Sequence, residues 1–254
     1  MRYALISDIH GNLPALAAVL ADVERRGVDA IYHLGDLVGY APWPNEVVAA
    51  LRDAGIPGVA GNYDSTVATG YKHCGCRSEN AHQEELAHQS FSWTLANTSP
   101  DAKRWLGGLP FRLDIRPLGG HVAGPAIRLV HGNQALNTVY VTEDRSDDFL
   151  TKMADAMGAN AGDSICFGHT HKPWHRTVGG IHFVNTGSVG RPKDGDPRAG
   201  YVVLVVTEHG TAVEFVRVEY DVEATARAII ASELPDEFAD FLRTGGVSPA
   251  VAAR

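Results

Sequence analysis

An α/β fold with a helical insert is what the sequence predicts, on three observations. Residues 1–64 alternate short apolar runs with stretches of helical periodicity, the pattern of parallel strands joined by crossover helices. Residues 65–110 carry two helical patterns and no strand. From residue 111 onward apolar runs return, and two pairs of them face each other across glycine turns as hairpins.

The elements follow in order. "RYALI" is a short apolar run bounded by polar residues, as a buried strand should be. In "LPALAAVLADVERRG", Leu13, Leu16, Ala17, Leu20 and Val23 recur at helical spacing, with Pro14 suited to the first turn and Gly27 to the stop. "DAIYHLGD" reads as a second strand, "PNEVVAALRDAG" as a second helix capped by Asn45, and "IPGVAGNYD" as a third strand. Within the insert, "SENAHQEELAHQSFSWTLANT" reads as a helix capped by Ser78 and "SPDAKRWLGGLP" as one opened by Pro100. "FRLDIR" and "AIRLV" restore the sheet, a helix covers about Asp147 to Met157, and "SICFGHTH" adds another strand. "HRTVGG" and "IHFVNTGS" pair around Gly179-Gly180, a second hairpin turns near Gly210, and a helix in "DVEATARAIIASELP" stops before Pro235. No repeat, low-complexity tract or long linker divides the chain, so residues 1–254 are expected to form one domain with a cap at about 65–110.

Composition narrows the function. A chain of 254 residues can bury a substantial core, and 44% hydrophobic with 20% charged residues is ordinary for a globular protein. The formal net charge of −8, with no basic run, speaks against an extended nucleic-acid or anionic-membrane footprint but not against one small anionic ligand. Cys74, Cys76 and Cys166 are too few, and odd in number, for a disulfide framework. No apolar run approaches a membrane span, and the run before Asp8 is too short for a secretory leader, so a cytoplasmic protein is expected.

Polar residues gather where the expected strands end. Asp8 and His10 follow the first, Asp36 the second, Asn62 the third, His131 the run "AIRLV", and His169 and His171 the run "SICF". Ligands of open α/β sheets bind at the carboxyl ends of strands, so these residues should meet at one edge. Gly11, Gly35, Gly61, Gly132 and Gly168 lie beside them, where backbone must turn sharply. Singly, each is a turn residue, a helix cap or a core histidine. Jointly, imidazole with carboxylate suits Zn, Mn or Fe better than Ca or Mg. Seven ligands are too many for one tetrahedral ion and fit two ions that share a carboxylate, an arrangement able to clamp a phosphate and generate hydroxide from water.

In order, "SDIHGN", "GDLVGY", "GNYD", "HGN" and "GHTH" resemble the five signature blocks of the calcineurin-like metallophosphoesterase superfamily, over about residues 1–190. Within it the chain is similar to the small bacterial and archaeal phosphodiesterases, and "NTGSVGRPKDGDPRAGY" looks like the segment that follows their GHTH strand. The resemblance implies a four-layer αββα sandwich of two mixed β-sheets flanked by helices. It implies two divalent or trivalent transition-metal ions, Mn, Fe or Zn, with Mn favoured in vitro. By the same resemblance Asp8, His10 and His171 hold the first ion, Asn62, His131 and His169 the second, and Asp36 bridges them. It implies hydrolysis of a phosphate ester by a metal-bridging hydroxide, with Asp36 and the block Asn62, Tyr63 and Asp64 as the catalytic set.

One position departs from the family. Many members carry histidine where this chain has Tyr63, and that histidine aids the leaving group. A phenol with a pKa of about 10 is a weaker proton donor, which favours diesters with good leaving groups over alkyl monoesters; the alternative is that Tyr63 only lines the pocket. Asn12 and Arg191 are candidate substrate contacts, the latter because arginine grips phosphate oxygens in pairs. Lys193 is a weaker one. His73, Cys74 and Cys76 raise the idea of a third metal, but incidental thiols in a substrate-facing lid are the preferred reading. Cys166 is expected in the core, and His33, His82, His88, His121, His175, His182 and His209 are read as structural or exposed.

The expected function is therefore a small-molecule phosphodiesterase. The alternatives are a phosphomonoesterase, including a serine/threonine protein phosphatase, or a scaffold of the same fold that has lost catalysis. The edge of the C-terminal hairpin leaves room for a homodimer.

Overall fold

The structure, a computed structural model, describes residues 1–77, 80–117, 125–208 and 210–247. The N-terminal run forms β1 (Arg2–Ile6), and helix α1 (Leu13–Arg26) crosses over to the parallel strand β2 (Ala30–His33). Asn12 caps α1 by accepting a hydrogen bond from the Ala15 N–H, and Gly27 closes it with left-handed backbone (φ 59°). Helix α2 (Pro44–Asp53) returns, but Asn45 does not cap it. Pro44 opens the helix instead, and the Asn45 amide bonds the Asn97 carbonyl and the Ser99 N–H of the insert.

The expected third strand shrinks to one parallel bridge between His33 and Gly58. It cannot extend, because helix α3 (Asn62–Thr69) starts where the strand should end, with Gly61 as its cap. The insert continues as α4 (Ala81–Asn97) and α5 (Pro100–Leu106). Asn80 caps α4; the expected cap Ser78 lies outside the described residues. The insert packs into the body of the fold. Phe91, Ala102 and Leu106 join the same core as α1 and α2.

Strands β3 (Arg112–Ile115), β4 (Ile127–Val130), β5 (Ser164–Phe167), β6 (Trp174–Val178) and β7 (Ile181–Asn185) make one sheet in the order β3-β4-β5-β7-β6. Strands β8 (Ala199–Thr207) and β9 (Gly210–Val218) join the N-terminal pair in the order β2-β1-β8-β9. Each sheet mixes parallel and antiparallel neighbours. Side-chain alternation then dictates the layers. Tyr3, Leu5, Val202 and Leu204 of the first sheet meet Ile127, Leu129, Cys166 and Val184 of the second. The residues between them point outward. Ala4, Ile6 and Val203 pack under Leu16, Val19 and Val47 of α1 and α2. Ile165, Phe167 and Phe183 pack under Leu150, Met153 and Met157 of α6 (Asp147–Met157). Helix, sheet, sheet, helix is the four-layer sandwich expected. Burying one such Leu, Ile or Phe is worth about 1.5–3 kcal/mol, which is why a register slip is not tolerated.

Helix α7 (Val222–Ile230) follows as expected, and α8 (Glu237–Arg243) comes as an addition, since Pro235 ends one helix only to precede another. Phe238, Ala239 and Leu242 of α8 form a fourth core with Ala41 and Ile229, against which Leu86 and Trp93 of α4 lean. No helix among the described residues is long and apolar enough to cross a membrane.

Candidate metal centre

The strand ends of both sheets converge on one rim. Among the described residues, left-handed backbone at non-glycine positions occurs at Asp8 (φ 53°), His10 (51°), Asp36 (52°), His169 (66°), His171 (60°) and Tyr40 (62°), and nowhere else. Each such residue costs on the order of 1–3 kcal/mol and persists only where its surroundings impose it. Here the loops impose it on each other. The Asp8, His10 and Gly11 N–H groups bond the carbonyls of Gly35, Asp36 and Leu37. The loop at Gly35 passes so close to that at Gly61 that a Cβ on Gly35 would sit 2.2 Å from the Gly61 nitrogen.

Two groups of donors result: Asp8, His10 and His171, and Asp36, His131 and His169, all buried. In the first, the Nε2 atoms of His10 and His171 face each other at 3.1 Å, and Asp8 Oδ1 lies 3.2 Å from His171 Nε2. In the second, His131 Nε2 lies 3.2 Å from His169 Nδ1 and 3.1 Å from Asn62 Oδ1. Asp36 stands between the groups, its Oδ2 at 3.7 Å from His10 Nε2 and 3.4 Å from His131 Nε2, while its Oδ1 accepts the Tyr63 N–H. Behind the rings, the Nδ1 atoms of His10, His131 and His171 meet the backbone carbonyls of Val38, Leu34 and Arg191. Those bonds put the proton on Nδ1 and turn the Nε2 lone pairs inward, as metal-ligating imidazoles require.

Electrostatics favours a bound cation. Burial raises the Asp8 pKa, and its Oδ1 is buried without a hydrogen-bond partner. Burial and the neighbouring imidazole lower His10 to about 3, and burial lowers His169 to about 3, so both are neutral donors. Burial opposes a charge on His131 too, but the Asp36 carboxylate overrides it and pushes that pKa up to about 10. Burial alone would raise Asp36, yet His131 and then His10 hold it well below the usual carboxylate range.

A family model, the calcineurin-like phosphoesterase superfamily domain, matches residues 1–209. The chain belongs to that superfamily. The MJ0912 protein of Methanocaldococcus jannaschii is 31% identical over 95% of this chain and 97% of its own length. Phosphodiesterase YfcE of Escherichia coli is 26% identical over 80% of this chain and 87% of its own. Among solved structures, a metallophosphoesterase from Sphaerobacter thermophilus superimposes with a TM-score of 0.74 at 28% identity, covering 96% of this chain and 99% of that one. The protein PH1004 of Pyrococcus horikoshii has the same fold, with a TM-score of 0.79 at 20% identity over 97% and 99% of the two chains.

Calcineurin-like phosphoesterases bind divalent metals, and the residues present fit such ions. The unpartnered Asp8 oxygen, the inward Nε2 atoms and the mixed imidazole–carboxylate set all suit a transition metal.

The candidate centre opens onto a cleft of about 380 Å³. Helix α4 contributes His82, Gln83, Leu86 and Ala87 to the wall, and α8 contributes Glu237, Phe238 and Phe241. His82, read from sequence as structural or exposed, faces Glu237 across the mouth at 3.9 Å. No local signal in either helix could have announced this, because the two meet only through the folded sheets.

Other sequence-predicted residues take different places. Asn12 is fully buried; besides capping α1 its amide donates to the Gly190 carbonyl and the Tyr220 hydroxyl, away from the cleft. Asp64 lies behind the centre. Its carboxylate accepts the N–H groups of Asp36, Leu37 and Gly61, and burial with the Asp36 charge raises its pKa to about 7. Tyr63 lines the cleft, but its hydroxyl bonds Ser90 of α4 at 3.4 Å, and its ring stands roughly perpendicular to that of His10 with the centres 5.5 Å apart. Cys74 and Cys76 form a disulfide, correcting both the expectation of free thiols and the idea of a third metal. Gly75 turns the chain between them with φ 74°. That loop has a task the sequence hid. The Asn62 Nδ2 donates to the Cys74 carbonyl and the Cys76 sulfur, which leaves Asn62 Oδ1 pointing at His131. Cys166 is buried as expected. His33 is buried with both ring nitrogens unpartnered, and His121 and His209 lie outside the described residues.

Proposed function

We propose that this phosphoesterase is a metal-dependent hydrolase of small phosphodiesters that works with two ions. Asp8, His10 and His171 would hold one, Asn62, His131 and His169 the other, and Asp36 would lie between them. The observation that carries the reading is the pair of buried donor groups with a shared carboxylate, facing a cleft of about 380 Å³. When bound, two such ions supply charge neutralisation at the phosphoryl oxygens and a water acidic enough to act near neutral pH.

The chain's own residues do the rest. Asp64 fixes the Asp36 and Leu37 backbone, so the Asp36 carboxylate keeps its orientation. The disulfide loop turns the Asn62 amide. Arg191 is the candidate contact for substrate oxygens, and α4 with α8 limits the length of what can enter. Tyr63, bonded to Ser90, supplies a wall and no charged acid, which supports esters with good leaving groups. The similarity to a protein named as a phosphodiesterase supports the diester preference.

The test is turnover of bis(4-nitrophenyl) phosphate with Mn²⁺ added and again after chelation, beside 4-nitrophenyl phosphate on one preparation. Metal-dependent hydrolysis that favours the diester is expected. A clear monoester preference overturns the diester reading, and no turnover with Mn, Fe or Zn overturns the enzyme.

A further inference from the structure

Arg191 is 8% exposed, yet among the described residues its guanidinium meets no carboxylate and no hydrogen-bond acceptor. Its neighbours are ring faces. The guanidinium carbon sits 3.9 Å from the centre of the Tyr40 ring and 3.8 Å from that of Phe241, with Phe238 farther off at 5.7 Å. Rings at such distances suit the flat, weakly hydrated guanidinium and hold its plane, but they use none of its five N–H donors. Those donors lie in the plane, and the side chain lines the metal cleft.

The backbone of the same residue is tied to the metal centre. Its N–H bonds Ser188 Oγ at 2.8 Å, and its carbonyl accepts from His171 Nδ1 at 2.6 Å. The clamp is equally fixed. Phe241 stands on α8, and the backbone at Gly246 (φ 77°) passes so close that a Cβ there would lie 2.7 Å from the Phe241 ring. Among the described residues that line the cleft, Arg77, Lys172 and Arg191 add positive charge beyond the candidate ligands and Glu237 adds one carboxylate, in a chain of net charge −8. A ring-clamped fork of unused donors that opens into a cleft carrying positive charge suits an oxyanion.

We propose that Arg191 is a receptor for two oxygens of a phosphate-type anion of the substrate, and that Phe241 of the C-terminal helix is its positioning residue. The proposal rests on the phosphoesterase reading for the source of the anion, but the site is readable without turnover. Tyr40 shares the clamp, yet its ring also packs on His10 and Tyr63, so Phe241 is the cleaner probe.

The test is calorimetric binding of inorganic phosphate to the Mn²⁺-loaded protein, with Mn²⁺ content and melting temperature measured on every variant. Arg191→Ala should weaken phosphate roughly ten- to a hundredfold at unchanged Mn²⁺ content, the size of a charged hydrogen-bonded contact. Phe241→Ala should weaken it severalfold with the charge still present, and Phe241→Tyr should restore it. Free guanidinium ion should rescue phosphate binding in Arg191→Ala but not in the Arg191→Ala/Phe241→Ala double variant. If Arg191→Ala does not fold, Arg191→Lys keeps the charge and loses the fork, and phosphate should still bind severalfold more weakly. A structural arginine would give the opposite pattern, a lowered melting temperature with phosphate affinity unchanged, and that result overturns the proposal. So does a wild-type protein that binds no phosphate. Phosphate binding that depends on Arg191 in a protein that hydrolyses no ester would sink the enzyme reading and leave the anion site standing.

Discussion

At the rim, five of the seven candidate ligands sit on left-handed backbone, wedged between loops that hydrogen-bond to each other. The roof over them is different: α4 and α8 are regular helices with largely exposed faces, joined to the rest by Ser90 and Asn45, by Phe91 in the main core and by a small core of their own. The rim holds its side chains by imposed strain, so each has one available position. The roof holds its side chains by packing, so they can be exchanged at little cost to the centre. Chemistry belongs to the first kind of construction and substrate choice to the second.

The sharpest way to break this contrast is at the shared carboxylate. Asp36→Asn should lower aryl-diester turnover by about a thousandfold or more, since several kcal/mol of charge organisation go with it. Turnover within tenfold of wild type would mean the two donor groups do not act together.

One step behind the rim, Asp64→Asn replaces an oxygen that accepts backbone N–H groups with an amide that must turn a donor toward one of them. Metal affinity should fall about ten- to a hundredfold, the usual cost of losing an orienting partner. Mn²⁺ titration reads it directly, and unchanged affinity would show that the strained loop at Asp36 holds itself.

Outside both regions, His33 lies at the end of β2, 6.1 Å from the Trp105 ring of α5. Burial lowers its pKa to about 3, so it is neutral when folded and takes up a proton on unfolding below its ordinary value of about 6.5. The folded pKa is depressed, so stability is full above about 6.5 and is lost as pH falls toward 3. This residue alone should cost about 1.4 kcal/mol per pH unit in that window. In urea unfolding at pH 7 and pH 5, His33→Leu should show the shallower loss. Equal losses in both proteins would place the acid sensitivity elsewhere.

The smallest effect is expected at the roof. Leu86→Ala should leave Mn²⁺ content unchanged and shift relative rates between compact and bulky aryl diesters by roughly three- to tenfold, as an apolar pocket contact does. A loss of metal instead would erase the distinction between rim and roof.

How much was readable in advance follows the same division. Asp8, His10, Asp36, His131, His169 and His171 could be picked out from sequence because they gather just after apolar runs, in short blocks that each hold a glycine, so local pattern alone puts them at strand ends. Asn62 was found by its neighbours, although the strand expected before it is a single bridge. Asp64 was singled out with its block, but nothing local says that its carboxylate reaches the backbone of residues 36 and 37. The rest was out of reach for a plain reason. Phe241 meets Arg191, His82 meets Glu237 and Cys76 meets Asn62 only after the sheets have stacked. Alternation of apolar residues, glycine at the loops and the order of the blocks determined the sandwich and its rim, because strand faces and tight turns are local properties of the chain. The roof, the disulfide loop beside Asn62 and the clamp on Arg191 were decided by tertiary structure, because each joins segments whose local sequence is equally content with solvent.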